Sequence, residues 1–506
     1  MLSSHGLNSS GSDENVFLLN NPVSMWLCFV MKEYDLIVIG TGSAMEVADA
    51  MIRDKPGMHV AVIDKDEPGG ICLTRGCIPS KLLIYPADIA RTIQQSGEFG
   101  IHTEIAKIDF QAIMQRMRTI IHRDINNIRN GLTTSKNIDY YNSQAEFTAP
   151  YTLKVREETI TSKMILLSTG SKPLIPPIEG LKEAGYLTSD TFLNLNHLPK
   201  SVAFIGGGYI AAEYGYFLSA MGTNVTIIEM APRYLPIEEP EISAVATHKM
   251  QKHAIVITNH VVRKVQAVPE GKKLTAENRD DKTEKEVMVE EIFVATGRGP
   301  NTDILHPEKA GIKTDQKGYI IVDEHMQTSQ LGIYAIGDAN GKFLFKHVAN
   351  HEAKVVYYNA ALKKKIKVNY HAVPHAVFTD PEIASVALRE EEAIEKYGKD
   401  NVLIGFYRYE DTAKGEAMAR KDEFVKVIVT QGTGKILGAH IIGAQASVLI
   451  QEIVNLMCTQ DQSSEPLTEA MHIHPAMPEV VARAFSNLMT PEQYHHFLKE
   501  HSNLPL

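Results

Sequence analysis

Short unbroken apolar runs recur along the chain, each followed by a glycine turn and a longer stretch of helical composition. The run YDLIVIG, residues 34–40, is continuous and rich in β-branched side chains, as suits a strand buried on both faces of a parallel sheet. After Gly40-Thr41-Gly42 comes a stretch rich in Ala, Met, Val and Ile to about Arg53, then a second apolar run, HVAVID, ending at Asp64. That order predicts a βαβ unit of the usual length. The same grammar returns at residues 201–208 (SVAFIGGG), in the helical AAEYGYFLSAMG and in NVTIIE ending at Glu229. Two dinucleotide-type units are therefore expected. Between them MILLSTGSKPLIPPIEG (164–180) is a strand entering a Pro-rich crossing, and EIFVATGRGPNT (291–302) repeats its form, so both read as paired domain junctions. After Pro374 strands such as VKVIVT and ILGAHIIG alternate with charged helices, which predicts a separate α+β domain.

Length changes this picture little, since 506 residues suit about three or four domains. The expected division is residues 31–179 with 301–372, residues 180–300, and residues 373–506. With 44% apolar and 22% charged residues the composition is globular, which excludes a disordered or fibrous chain. A net charge of -10 without a sustained basic stripe argues against nucleic acid as a partner. The apolar VSMWLCFVM at residues 23–31 is too short to span a bilayer. No Lys or Arg precedes Lys32 and Asp13 and Glu14 are acidic, so a secretory signal is not expected either. Residues 1–30 read as a disordered extension or a misassigned start, with Met31 as the native first residue. Four cysteines (Cys28, Cys72, Cys77 and Cys458) are too few for a secreted disulfide scaffold and fit a reducing cytoplasm.

In the first unit Gly40 permits the tight turn and Gly42 lets the backbone approach a pyrophosphate at the helix N-terminus, while Met45 stands where a third glycine is usual. Asp64, closing the second strand, is placed to accept hydrogen bonds from a ribose diol. The second unit has Gly206, Gly208 and Ala211 at the fingerprint positions. Glu229 ends its second strand, where a carboxylate bonds a free ribose 2′-OH and repels a 2′-phosphate, favouring NAD over NADP. The most informative stretch is GGICLTRGCIPSK, residues 69–81. With Pro79 in the first turn of a helix, Cys77 lies at its positive end, where thiolate is favoured over thiol. Cys72 and Cys77 are spaced so that a disulfide closes if the geometry permits. The rival reading of a half zinc site lacks a second Cys/His pair nearby, and no metal is expected.

The GGICLTRGCIPSK string, the two dinucleotide units, ATGR (295–298), IYAIGD (333–338) and HIHPAMPE (472–479) together resemble the class I pyridine nucleotide-disulfide oxidoreductases, from about Lys32 to about Phe485. Within that family the chain is similar to dihydrolipoamide dehydrogenases and mycothione reductases. The resemblance implies an α/β fold with two Rossmann-like domains, for FAD and NAD(P), and a C-terminal α+β dimerisation domain. It implies that Cys72 exchanges with a small disulfide or dithiol substrate and that Cys77 contacts the flavin. Lys81 then lies close to the flavin and pairs with Glu213, Asp338 bonds the ribityl chain, and Ala145 offers backbone near the adenine. Ala295 and Arg298 match the nicotinamide side, and Tyr209 a position where some relatives gate the nicotinamide pocket. His474 matches the base, oriented by Glu479, and in relatives it reaches the cysteines of the other subunit, which implies a homodimer. The chain departs from the family at Met45, at Ile71 in place of Thr, and at Ala353 and Ala387 in place of glycines. KHVANHEA (346–353) and HPAMPEVV (474–481) look like mycothione reductases, whereas Glu229 looks like the NAD-using lipoamide enzymes. A lipoamide-type oxidoreductase, a reductase of a low-molecular-weight thiol disulfide and a flavin-binding redox sensor all stay open.

Overall fold

The computed structural model describes residues 31–501 and residue 504, and the expectation for residues 1–30 lies outside the described residues. Leu36–Ile39 forms a fully buried strand in a five-stranded parallel sheet. Across the sheet the order runs Ile333–Ala335, Ile165–Leu167, Leu36–Ile39, Val60–Asp64, Ile138–Asn142. Leu36 pairs with Val60 and Ile37 with Ile165, which brings the glycine turn after Ile39 level with the ends of its neighbours. A late strand, Ile333–Ala335, thus completes a sheet begun near residue 36, and it delivers Asp338 to the same edge. The helix Ala44–Asp54 buries Ala44, Val47, Ala48 and Met51, positions one helical face apart. Met45 packs beside them against the apolar core instead of entering the cavity described below.

The second unit repeats the plan with four parallel strands in the order Ala254–Ile257, Asn224–Ile228, Ser201–Ile205, Glu291–Val294. Its helix Tyr209–Met221 is buried on nearly all sides because the long helix Cys77–Gln95 of the first unit packs against it. That contact joins the two units directly at the redox segment. The two Pro-rich crossings pair with each other: Ser171–Pro173 lies antiparallel to Arg298–Pro300.

The C-terminal part is a six-stranded antiparallel sheet ordered Pro374–Val377, Ile383–Ala387, Ile436–Ile442, Phe424–Thr430, Val402–Arg408, Leu488–Met489. Helices Ala446–Met457 and Pro478–Ser486 cover one face through Leu449, Ile450, Val480 and Val481. Lys426, in the central strand Phe424–Thr430, is 0% exposed and meets Glu390 at 2.8 Å, Glu241 at 3.1 Å and Glu239 at 3.2 Å. Burial pulls its pKa down, but the three carboxylates outweigh that and hold it above the ordinary lysine value. Glu239 and Glu241 belong to the second unit, so this ion cluster fixes the C-terminal sheet to it. None of the described helices is long and apolar enough to cross a membrane.

A dithiol cavity between two dinucleotide folds

A cavity of 680 Å³ opens where the first unit, the second unit and the C-terminal sheet meet. Its wall begins at the glycine turn. Gly40 sits at φ +102°, and a Cβ there would lie 2.0 Å from the Ser168 carbonyl oxygen. Gly70 at φ +70° comes so close to Gly42 that a Cβ would be 2.7 Å from the Gly42 Cα. The helix Gly70–Arg75, which carries Cys72, is therefore seated on the turn that faces the pyrophosphate position. Gly76 separates the two helices, and Cys77 is the first residue of the helix Cys77–Gln95, with Pro79 in its first turn.

Both sulfurs are free thiols, and Cys77 hydrogen-bonds to Cys72. That bond lowers the Cys72 pKa to about 7, against the opposing effect of burial and with help from the charges of Lys346 and Lys81. Proton sharing with Cys72, and then burial, push Cys77 up. The sequence led to a thiolate at the helix N-terminus on Cys77. One proton serves both sulfurs of the dithiol, so the pair titrates as a unit and its negative charge belongs to both.

Lys81, one turn further along the same helix, donates to both Glu213 oxygens at 2.7 Å. Glu213 comes from the helix Tyr209–Met221 and also accepts from the Phe378 N–H at 3.2 Å, while the Lys81 ammonium stands 4.2 Å from the centre of the Phe378 ring. Tyr209, first residue of that helix, faces the cavity. On the far wall Asp338 accepts from the Ser171 hydroxyl at 2.5 Å, and Arg298 Nε donates to that same hydroxyl at 2.8 Å. Burial raises the Asp338 pKa, as the dry wall disfavours charge. Ala145, at the start of the strand Ala145–Ala149, lines the opposite end beside the glycine turn.

Asp64 is engaged from below: its Oδ2 accepts from the Thr41 N–H at 2.8 Å and the Thr41 hydroxyl at 2.6 Å, and its Oδ1 from the Asp66 N–H at 3.0 Å. It braces the turn, and any ribose shares a carboxylate already bonded to protein. Glu229 does the same in the second unit, accepting from the Gly207 N–H at 2.5 Å and the Ala231 N–H at 2.6 Å. A Cβ on Gly206 would meet the Ala295 carbonyl oxygen at 2.5 Å, whereas one on Gly208 would have no atom within 4 Å, so the room for a pyrophosphate lies over Gly208.

His474 stands apart from all of this. Its Nδ1 is 2.9 Å from Glu479 Oε1, and Glu479 also accepts from the Ala476 N–H at 3.1 Å. The His474 hydrogen bond, then the Ala476 one, hold the Glu479 carboxyl below the usual range. With its side chain 68% exposed, His474 points to solvent, and it does not line the cavity that holds Cys72 and Cys77.

Several residues with evident positions were not singled out from sequence. Glu352 is fully buried, accepts from the Gly337 N–H at 2.6 Å and from the Tyr370 hydroxyl at 2.5 Å, and so fixes the turn that bears Asp338. Arg75, between the two cysteines, meets Asp66 at 2.7 Å and Asp190 at 3.2 Å. Lys346, His347 and His375 also line the cavity. Glu352, Lys346 and His347 all lie in KHVANHEA, a signal used only for its likeness to one branch of the family.

Two glycine-turn folds meeting at a cavity lined by a dithiol, with a paired lysine at its edge, define a dinucleotide-dependent disulfide oxidoreductase. The comparisons agree: the pyridine nucleotide-disulphide oxidoreductase family matches residues 34–376 and its dimerisation domain residues 373–485, and the chain belongs to this family of enzymes. A mycothione reductase from Mycobacterium tuberculosis is 34% identical over 472 residues, covering 90% of this chain and all (100%) of the relative. A dihydrolipoyl dehydrogenase from Chlamydia muridarum is 34% identical over 459 residues, 90% of this chain and 96% of the relative. Among solved structures, the HOCl-induced flavoprotein disulfide reductase RclA from Escherichia coli superposes with a TM-score of 0.79 at 27% identity, covering 90% of this chain and 99% of that one. Family members use FAD and NAD(P)H. The residues here fit both: the space over Gly208 is open, as a pyrophosphate needs, and one continuous cavity joins the first glycine turn, the cysteines and Asp338.

Proposed function

We propose that the protein is an FAD-dependent, NAD-linked oxidoreductase of the dihydrolipoamide dehydrogenase type, passing electrons between NAD(H) and a small dithiol or disulfide through Cys72 and Cys77. The observation that supports NAD is Glu229, a buried carboxylate at the end of the strand Asn224–Ile228 whose charge opposes a 2′-phosphate. Bound FAD supplies two-electron transfer between the nicotinamide and the cysteine pair. The residues supply the rest. Cys72 exchanges with substrate sulfur, Cys77 closes the disulfide on the flavin side, and Lys81 with Glu213 holds a compensated charge beside them. Asp338 takes the ribityl chain, Ala145 the adenine, and Gly40, Gly42 and Asp64 the adenosine half of FAD. Gly206, Gly208, Ala295 and Arg298 hold the nicotinamide dinucleotide, with Tyr209 closing its pocket.

In the oxidising direction a substrate thiolate attacks Cys72 and expels Cys77 as thiolate, while His474 of the partner subunit takes the substrate proton and Glu479 orients it. A base exposed on one subunit and a dithiol enclosed on the other support a homodimer, built through residues 373–506. The FAD-binding part is residues 31–179 with 301–372, the NAD-binding part residues 180–300, and the cytoplasm is the proposed location.

A second reading, reduction of mycothione or a similar low-molecular-weight disulfide, is supported by the 34% identity to a mycothione reductase. Steady-state assays of purified enzyme with NADH and NADPH against lipoamide, glutathione disulfide and mycothione separate the two. Lipoamide reduction with NADH at least ten times faster than with NADPH is expected on the general cost of one misplaced phosphate, about 1.4 kcal/mol or more. Preference for mycothione selects the second reading, and FAD binding without reduction of any disulfide rejects both.

A further inference from the structure

A second cavity, of 770 Å³, lies among the strands Ile383–Ala387 and Ile436–Ile442, the helix Glu390–Tyr397 and the segment that leads to Pro374. It shares Glu238, Phe345 and His375 with the dithiol cavity, so the two stand back to back across one wall. Stacked rings build that wall. Phe345 lies 5.9 Å from His375 with 3° between the planes, and 5.4 Å from His347 with 10° between them. None of the residues placed in the redox or dinucleotide machinery lines the second cavity.

The carboxylates of this cavity are committed within the protein. Buried Glu238 has one oxygen 2.7 Å from His375 Nε2, and its other oxygen accepts from the Ser385 hydroxyl at 2.7 Å. Glu392 accepts from the Arg389 N–H and from its guanidinium, each at 2.9 Å. Two of the cations are uncommitted. Lys396 and Lys435 make no ion pair among the described residues, and the ammonium of Lys396 has only the Tyr397 ring, 5.5 Å away. Such a wall attracts an anion. His440 is an independent sign of a ligand. Its side chain is 2% exposed, and Nε2 donates to the Leu388 carbonyl at 3.0 Å, so the neutral ring keeps a lone pair on Nδ1. Burial lowers its pKa and keeps it neutral. Nδ1 is itself buried and has no hydrogen-bond partner among the described residues. A buried acceptor left unpaired is costly, and a donor brought by a ligand removes that cost. Flat apolar surface is present too: the Phe343 and Tyr370 rings are 5.3 Å apart, and Glu352 holds the Tyr370 hydroxyl at 2.5 Å.

We propose that the second cavity is a binding site for a small aromatic anion that carries an O–H or N–H donor. The anionic group lies with Lys396 and Lys435, the donor reaches His440 Nδ1, and the ring packs on Phe343 and Tyr370. Each requirement answers a group that the protein leaves uncommitted. The cavity is of the size that small-molecule sites have, with a few polar groups converging on an apolar wall. The ligand is held without a covalent bond and takes no part in electron transfer. The inference is therefore independent of the roles given to Cys72, Cys77 and His474.

The test is calorimetric titration of the FAD-loaded enzyme, saturated with NAD so that both dinucleotide sites are filled, with 4-hydroxybenzoate as probe. A Kd of about 1 mM or tighter is expected for a ligand of this size. Methyl 4-hydroxybenzoate, which lacks the charge, and benzoate, which lacks the donor, should each bind about tenfold more weakly. 4-Hydroxyphenyl phosphate separates the two anion types: tighter binding assigns a phosphate ligand, weaker binding a carboxylate. Lys396→Gln combined with Lys435→Gln should weaken 4-hydroxybenzoate about tenfold and leave the methyl ester unchanged. Neither lysine side chain makes a hydrogen bond, so the double variant is expected to fold. Lysine acetylation mapped by mass spectrometry locates the site: at about ten times its Kd the probe should protect Lys396 and Lys435 about tenfold and leave Lys365 unprotected. No binding at about 10 mM probe, equal affinity for acid and methyl ester, or protection that spares both lysines each overturns the proposal. Benzoate bound as tightly as 4-hydroxybenzoate removes His440 from the site and overturns it too. Turnover enters none of these measurements, so failure of the oxidoreductase reading and failure of this one are read separately.

Discussion

The cysteine pair and His474 stand in opposite surroundings. Cys72 and Cys77 lie in a walled cavity, with a thiol hydrogen bond and two lysines shaping their charge. His474 projects from a loop where Met471 is 101% and Ile473 81% exposed, with only Glu479 to orient it. A nucleophile gains from enclosure, since low dielectric strengthens every charge acting on it. A lone base left in water gains little, and apolar side chains so exposed are costly unless something covers them. On the proposed homodimer each chain carries half of a site, and the contrast says what each half needs: the cysteines have their walls within one chain, whereas the exposed base requires contact with another chain.

The largest effect tests the enclosed half. Cys72→Ser should reduce NADH-dependent disulfide reduction to background while flavin stays bound; retained turnover would refute the pair's role. Next comes His474→Ala, for which exchange about 10²-fold slower is expected from the usual contribution of a general base, with little change in flavin content. An unaltered rate removes it from the mechanism. Mixing these two variants addresses the comparison itself. In a heterodimer of Cys72→Ser and His474→Ala subunits, one site keeps both its dithiol and the base from across the interface, and the other has lost both. About half of wild-type activity per dimer is then expected from two-fold symmetry. If both variants in the mixed dimer stay inactive, base and dithiol belong to the same chain, and the half-site comparison fails. Glu479→Gln should cost less, about tenfold in turnover, because the base survives and loses only its orienting partner.

What sequence revealed and concealed follows the same divide between local and distant. The glycine turns, the cysteine string and the H-P-A-M-P-E segment are short, and their chemistry depends on neighbours a few residues away, so GTG, GGICLTRGC and the pairing of His474 with Glu479 were all legible. The partition of charge was not. Asp64 reads as a ribose ligand, yet Thr41, 23 residues earlier, occupies one of its oxygens. Lys346 reads as part of a motif, yet its position is set by Ser43, 303 residues away. In VKVIVT nothing distinguishes Lys426 from a solvent-facing lysine, because the burial depends on Glu239, Glu241 and Glu390 from other elements. Met45 stands where a third glycine is usual, and only the fold shows that the helix Ala44–Asp54 packs it against the core.

The smallest expected effect concerns Lys81 and reaches the enclosed half from its other side. Glu213→Gln keeps the shape of the pair and removes the charge that compensates Lys81 at 2.7 Å. Lys81 already favours the thiolate on Cys72, and without Glu213 its field is less cancelled. The iodoacetamide alkylation midpoint of Cys72 in the NADH-reduced enzyme should therefore move down by a few tenths of a unit, or about twofold faster labelling at about pH 6. The shift is small because Lys81 is partly exposed and water screens it. An upward shift would show that Glu213 acts by holding Lys81 in place, and that the enclosed half depends on the position of its cation more than on the balance of charge around it.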